Sequence, residues 1–380
     1  MSALTRPVPV LTAAIAVVGA NSLILPPIAA VVAADLGVAA PQVIHAMAAY
    51  GAGTALSALL LAPRADMIGA DKALRQACVV LMIALLLSAV APNALFLVLA
   101  HGLAGLGAGM ALPAIYGLAG QVGPPGQEKQ TIGYILTGWT FSLVGGVVVA
   151  AVLTDLAGWR SVYLLLLALT VGAWHLLGRC DMQVKLVATT PTSPLTALQV
   201  PGLSRALFSN AMLMLSFFGA YSYMGTHVVV ELGRSGTAAG MITMAYGAGY
   251  GFAALLNRFV DRLPRAHAMA LAFGGLCLTY VAMTLLAQIY VGLFLAALIW
   301  GVFQHFGLNA IVARLNALEP RQRGAIMGLN SATTYLCVTG GALSYGLPYG
   351  WGGIAACIAV SALCTALAVA EALWPQRQIT

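Results

Sequence analysis

The sequence predicts an all-α membrane protein: twelve transmembrane helices in two pseudo-symmetric six-helix bundles. Three observations carry that expectation. Charged residues make up only 7% of the chain against 61% hydrophobic ones, and mean hydropathy is +0.95, whereas a water-soluble globule carries about a quarter charged residues. Asp, Glu, Lys and Arg divide the sequence into uncharged runs that match one or two bilayer crossings. The word AYGAG occurs at 49–53 and again at 245–249.

A bilayer core needs about 20 helical residues. The runs 7–34, 36–63, 130–154, 161–178, 206–230 and 235–257 are each one span long. The runs 76–127, 266–313 and 324–370 hold two spans each. Turn signals stand where the double runs fold back: Ala91-Pro92-Asn93, Gln288 with Tyr290, and Gly346 to Trp351 with Pro348. Helices are required because an open sheet leaves unsatisfied backbone groups in lipid.

With the N-terminus placed in the cytoplasm, fifteen Lys and Arg fall on the inner side, and Arg160 and Arg234 fall on the outer side. This positive-inside bias predicts an inner-membrane protein with both termini cytoplasmic. It also removes nucleic acid as a reading of the basic charge, because the cations are spread over short loops. The first apolar segment is too long for a removable signal peptide and is followed by eleven more. Five of the six cysteines lie in apolar runs without metal-ligand spacing, so neither a metal nor a cofactor is expected.

The polar interval 179–203, with three prolines, reads as a cytoplasmic linker. The predicted organisation is a first bundle over 1–178, the linker over 179–203, and a second bundle over 204–380. Each copy of AYGAG begins outside and descends to a charged inner turn, containing Asp66 in the first half and Asp261 in the second. An even number of spans per half gives both halves the same orientation.

On these residues the chain resembles the major facilitator superfamily, over nearly its whole length. The loop APRADMIGADKALR resembles that family's GxLADRxGRR motif, with Asp66 and Gly69 in place. Its second copy keeps Asp261, Arg262 and Arg265. GWRSVYLL at 158–165 and RGAIMGLNSATTYL at 323–336 resemble the drug/proton antiporter and sugar-efflux branch. The resemblance implies gating roles for Asp66, Gly69, Asp261 and Arg262. It also implies a substrate path near mid-membrane, lined by spans one, four, seven and ten with help from two, five, eight and eleven.

Counting from the span ends places Asn21, Tyr50, Trp139, Tyr221, Tyr246, His305 and Tyr335 near mid-depth, with Trp300 and Asn309 on either side. No Asp, Glu, Lys or Arg lies near the middle of a span, although intramembrane charges are the usual partners of charged substrates. A neutral, zwitterionic or lipophilic small-molecule substrate is therefore expected. HGLAGLGAGMALP resembles the family's RxxQGxGxG motif with His101 at the arginine; Gly105, Gly107 and Gly109 remain, as residues for close helix packing. His101, then His305, are the candidate proton carriers, since imidazole titrates in the physiological range. In GWTFSLVGGVVVAAVL, Val148 stands where the antiporter motif has a kink-forming proline.

The expected function is export of small organic compounds by alternating access, with protons as the candidate coupling ion. Two rivals stand beside it, a metabolite importer or facilitator and a non-transporting sensor on the same scaffold. Enzymatic activity is not expected, for want of a nucleophile-base pair. The expected partners are the substrate, protons and membrane lipid, and the expected state is a monomer.

Overall fold

The computed structural model describes residues 7–60, 68–119, 121–123, 127–180, 194–260, 262–319 and 322–374. Fourteen α-helices follow one another: α1 Pro7–Leu23, α2 Leu25–Leu36, α3 Ala40–Leu60, α4 Ala70–Ala89, α5 Ala94–Ala119, α6 Glu128–Phe141, α7 Val147–Ala157, α8 Trp159–Leu177, α9 Leu203–Thr226, α10 Gly236–Val260, α11 Arg265–Leu285, α12 Tyr290–Asn316, α13 Arg323–Ser344 and α14 Gly346–Leu373. Among the described residues ten helical spans are long and apolar enough to cross a membrane, and α1 with α2, bent by 52°, makes an eleventh if the pair is one span. The twelfth is α13. It is 22 residues long, but Asn330, Ser331, Thr333 and Thr334 make it more polar than its neighbours.

Irregularities in the spans have local causes. Pro26 and Pro27 open α2 and remove backbone donors at the bend in span one. Span five is continuous from α6 to α7 through a π turn at Ser142–Gly146. Thus the segment that lacks the motif's proline still carries a break in its hydrogen-bond ladder. A second π turn, His227–Glu231, ends span seven. The fold-back signal at 91–93 lies between helices, and of the second, Gln288 lies between helices while Tyr290 opens α12. The one at 346–351 is itself helical, and α14 leaves helical geometry only at Gly352 and Gly353. Of the linker, Pro194–Gln199 forms a short 3-10 helix, and 181–193 lie outside the described residues.

By proximity the chain divides into two compact units, Met1–Pro191 with Met224–Met244, and Thr192–Tyr223 with Ala245–Thr380. The repeated word has a physical meaning inside each. In the first, a Cβ on Gly53 would strike the carbonyl of Gly102, and one on Gly105 would strike the carbonyl of Tyr50. In the second, a Cβ on Gly249 would strike the carbonyl of Leu298, and one on Gly301 that of Tyr246. The same 196-residue offset relates both pairs. The tyrosine carbonyl and the final glycine of AYGAG are two points at which α3 meets α5, and α10 meets α12, backbone to backbone. Small residues permit such approach in membranes.

The remaining glycines of span four behave similarly. Gly109 lies against Thr54 and Ser57 of α3, and Gly107 against Leu81 of α4. At the start of α8, Trp159 Nε1–H donates to Asp35 at 2.9 Å. Arg160 pairs with the same carboxylate and donates to the Ala91 carbonyl. The GWR triplet thereby ties the end of α2 and the α4–α5 turn to span six.

Candidate functional site

In the first unit Asn21 and Tyr50 are buried on α1 and α3. The Asn21 amide nitrogen has no hydrogen-bond partner among the described residues. Trp139 is half-buried on α6, with its ring edge against Gly19 of α1. Next to it, Ser142 donates to the Ala16 carbonyl at 2.6 Å, which fastens the π turn to α1.

His101 is 1% exposed on α5. Its Nδ1 lies 3.1 Å from the Leu97 carbonyl and its Nε2 3.2 Å from the Tyr163 hydroxyl. A carbonyl can only accept, so Nδ1 carries the hydrogen and Nε2 accepts from the phenol. Both ring nitrogens of this neutral tautomer are satisfied, and the Tyr163 ring stands edge-on at 5.5 Å.

The second unit gathers most of the sequence-derived candidates. Tyr221, Tyr246 and Trp300 meet around Phe217. Phe217 stacks on Tyr221 at 5.3 Å and lies 5.0 Å from Tyr246 and 5.2 Å from Trp300, centroid to centroid. Trp300 Nε1–H donates to the Tyr280 hydroxyl at 2.9 Å, so its one polar atom is satisfied. Tyr246 continues to Tyr250, and Tyr250 stands edge-on to His305 at 4.8 Å. The result is a run of aromatic rings from α9 through α12 to α10, ending on an imidazole.

Around that imidazole are two amides. Asn309 Nδ2 lies 2.8 Å from His305 Nε2 and 3.3 Å from Asn257 Oδ1, and His305 Nε2 lies 3.2 Å from the same oxygen. With Asn309 donating to both, Nε2 accepts and the hydrogen sits on Nδ1. His305 Nδ1 is buried without a partner among the described residues, and so is Gln304 Oε1 beside it. Tyr335 is half-buried on α13, a helix joined to α9 by Asn210, which donates to Thr334 at 3.1 Å.

Of the gating candidates, Asp66 and Asp261 lie outside the described residues. Gly69 precedes α4 with φ 95°, a left-handed value that favours glycine. Arg262 occupies an exposed turn before α11. No group of three or more potential metal ligands occurs among the described residues.

Residues 10–180 match the family profile described as Major Facilitator Superfamily. The chain is 27% identical over 366 residues to the uncharacterised MFS-type transporter YwfA of Bacillus subtilis (strain 168), covering 92% of this chain and 85% of the relative. The chain is thus similar to the major facilitator superfamily in the first half of its sequence and to an MFS-type transporter over most of its length. Solved structures agree in fold. A bacterial homologue of the human lysosomal transporter Spinster, in an inward-facing and unoccupied conformation, superposes with TM-score 0.78 at 14% identity, over 98% of this chain and 97% of that one. The human organic anion transporter MFSD10 (TETRAN) gives 0.71 at 14% identity, over 98% and 100%. The relative is an MFS-type transporter, and this chain shares with the two solved structures a fold of many long apolar helices. Its aromatic run is built of buried rings packed on one another.

Phe217, Tyr250, Tyr280 and Asn257 are the members of this cluster that depth counting does not pick. Helical spacing carries the missing signal. Phe217 is four residues before Tyr221 and Tyr250 is four after Tyr246, so each shares a helix face with a named candidate; Asn257, seven after Tyr250, extends that face, whereas Tyr280 lies on α11, which holds no candidate.

Proposed function

We propose that this protein is a secondary transporter of the inner membrane that exports small neutral, zwitterionic or lipophilic organic compounds by alternating access of its two six-helix halves. The observation that carries the reading is the uncharged aromatic run Tyr221–Phe217–Trp300–Tyr246–Tyr250, ending on His305 and its two amides. Rings held at 5–6 Å offer faces for stacking, and the unpartnered His305 N–H and Gln304 carbonyl offer one donor and one acceptor. An anion or a cation would meet no opposite fixed charge there. Asn21, Tyr50, Trp139 and Tyr335 are proposed as further substrate contacts.

For coupling, His305 is the better-placed carrier. A proton arriving on its Nε2 turns an acceptor into a donor, which Asn257 Oδ1 at 3.2 Å can accept once the Asn309 amide swings away. His101 has no free nitrogen for such a step. Asp66, Gly69, Asp261 and Arg262 are proposed to gate the inner turns, as the motif implies. The satisfied His101 also favours a second reading, a facilitator without proton exchange.

Proteoliposomes loaded with radiolabelled neutral aromatic and zwitterionic solutes separate these readings. Export driven by an imposed pH gradient, and weakened in His305→Gln, supports proton-coupled efflux. Equal rates with and without the gradient select the facilitator, and transport confined to organic anions or cations rejects the uncharged substrate class.

A further inference from the structure

An ion cluster closes the end of the second unit at which α9 begins and α14 finishes. Glu371 accepts from Arg205 Nε at 2.7 Å and from Arg314 Nη2 at 2.9 Å on Oε1. Its Oε2 accepts from Arg314 Nη1 at 2.8 Å and from the Ser209 hydroxyl at 2.5 Å. Four donors fill the carboxylate. Two guanidinium groups share one carboxylate, so the cluster keeps one positive charge in surplus.

That surplus is exposed unevenly. The Arg314 and Glu371 side chains are 12% and 9% exposed, whereas Arg205 is 33% exposed. Arg205 Nη2 donates to the carbonyls of Glu371 and Trp374. No hydrogen bond engages Arg205 Nη1 among the described residues. The guanidinium borders an open groove of 340 Å³ lined by Arg205, Phe208, Leu367, Ala370, Glu371 and Trp374. Apart from the ion pair its walls are apolar, and Phe208, Leu367 and Trp374 are 41%, 46% and 70% exposed.

We propose that this groove binds an anionic phospholipid, its phosphate on Arg205 and an acyl chain along Phe208, Leu367 and Trp374. Charge complementarity selects the head group, because the cluster already satisfies its own carboxylate and has a cationic edge left over. The apolar walls select lipid over free phosphate, which would leave them in contact with nothing. The elements suit the depth of a head group: an arginine whose stem runs along apolar surface and a tryptophan one residue beyond a spanning helix.

The test uses the full chain purified in a neutral detergent, with phosphatidylglycerol, phosphatidylcholine of the same acyl chains, or inorganic phosphate added. Native mass spectrometry counts retained lipid and thermal unfolding reads stabilisation. Phosphatidylglycerol is expected to be retained and to raise the unfolding temperature, and the other two are not. Arg205→Gln is expected to weaken retention about fivefold, the value of one cation at a membrane surface. Because that variant also disturbs Glu371, the double variant Phe208→Ala/Trp374→Ala, which leaves every ion pair in place, is the second arm and is expected to lose retention as well. Equal retention of both lipids, undiminished retention by the double variant, or full stabilisation by phosphate alone would overturn the proposal.

Discussion

Two histidines of this chain differ in what their ring nitrogens have left to do. His101 is spent on Leu97 and Tyr163, and His305 keeps one nitrogen unpaired. Replacing His101 with leucine strands the Tyr163 hydroxyl in a buried site, at a cost of about 1 kcal/mol for a hydrogen bond between membrane helices. The expected result is a lower unfolding temperature, with solute exchange down its own gradient intact. His305→Gln is expected to do the opposite, keeping stability within about 1 kcal/mol while removing the response of transport to an imposed pH gradient. Residues of both kinds are visible in the sequence, because polar side chains are conspicuous in apolar runs. Their division of roles is not, because a nitrogen's partner is set by a helix elsewhere in the chain: Tyr163 is 62 residues from His101. Depth along a span is readable and puts Tyr221 and Tyr246 near the middle with Trp300 to one side; their shared neighbour Phe217, and Tyr250, need the helix face as well.

At the level of elements, the spans tolerate breaks where hydrogen bonds are already disrupted and resist bulk where backbones touch. The π turn at Ser142–Gly146 has interrupted the ladder just before Val148. Val148→Pro is therefore expected to fold, at well under the ~3 kcal/mol that proline costs inside a regular helix. Val152→Pro, one turn further into α7, is expected to bear that full cost; yields of monodisperse protein on gel filtration compare the two. Gly53→Leu and Gly249→Leu put a side chain into the carbonyls of Gly102 and Leu298. Each is expected to destabilise by about 1–3 kcal/mol or more, seen as loss of the folded peak. Helix number and order were legible because lipid demands long uncharged runs. The breaks in spans one and five were not, although Pro26-Pro27 and Gly145-Gly146 mark them, since apolar length alone does not register a bend.

Over the whole molecule, the second unit is held at one end by the cluster that joins α9, α12 and α14 through Glu371. Glu371→Gln leaves Arg205 and the nearly buried Arg314 uncompensated. A loss of about 3–5 kcal/mol is expected, as when one partner of a buried ion pair is removed, measured by thermal unfolding in detergent at fixed lipid. The charge count in the sequence locates these residues only as loop ends, because Glu371 appears there as the boundary of an apolar run and its two arginines lie 57 and 166 residues away. The proposed topology, with an even number of spans, puts both ends of the chain on one face. Labelling of single cysteines introduced near residues 3 and 378 is expected to reach both from the same side of the membrane.

The duplicated backbone seam has a last consequence. Shifted by the offset that relates the two AYGAG words, Gly109 with Thr54 falls on His305 with Tyr250. One copy spends that register on bringing two helices together, and the other fills it with an imidazole held under a phenol ring. Symmetry of the main chain thus coexists with a difference in side chains: at the same register the first copy has a glycine against a threonine, and the second has an imidazole edge-on to a phenol ring.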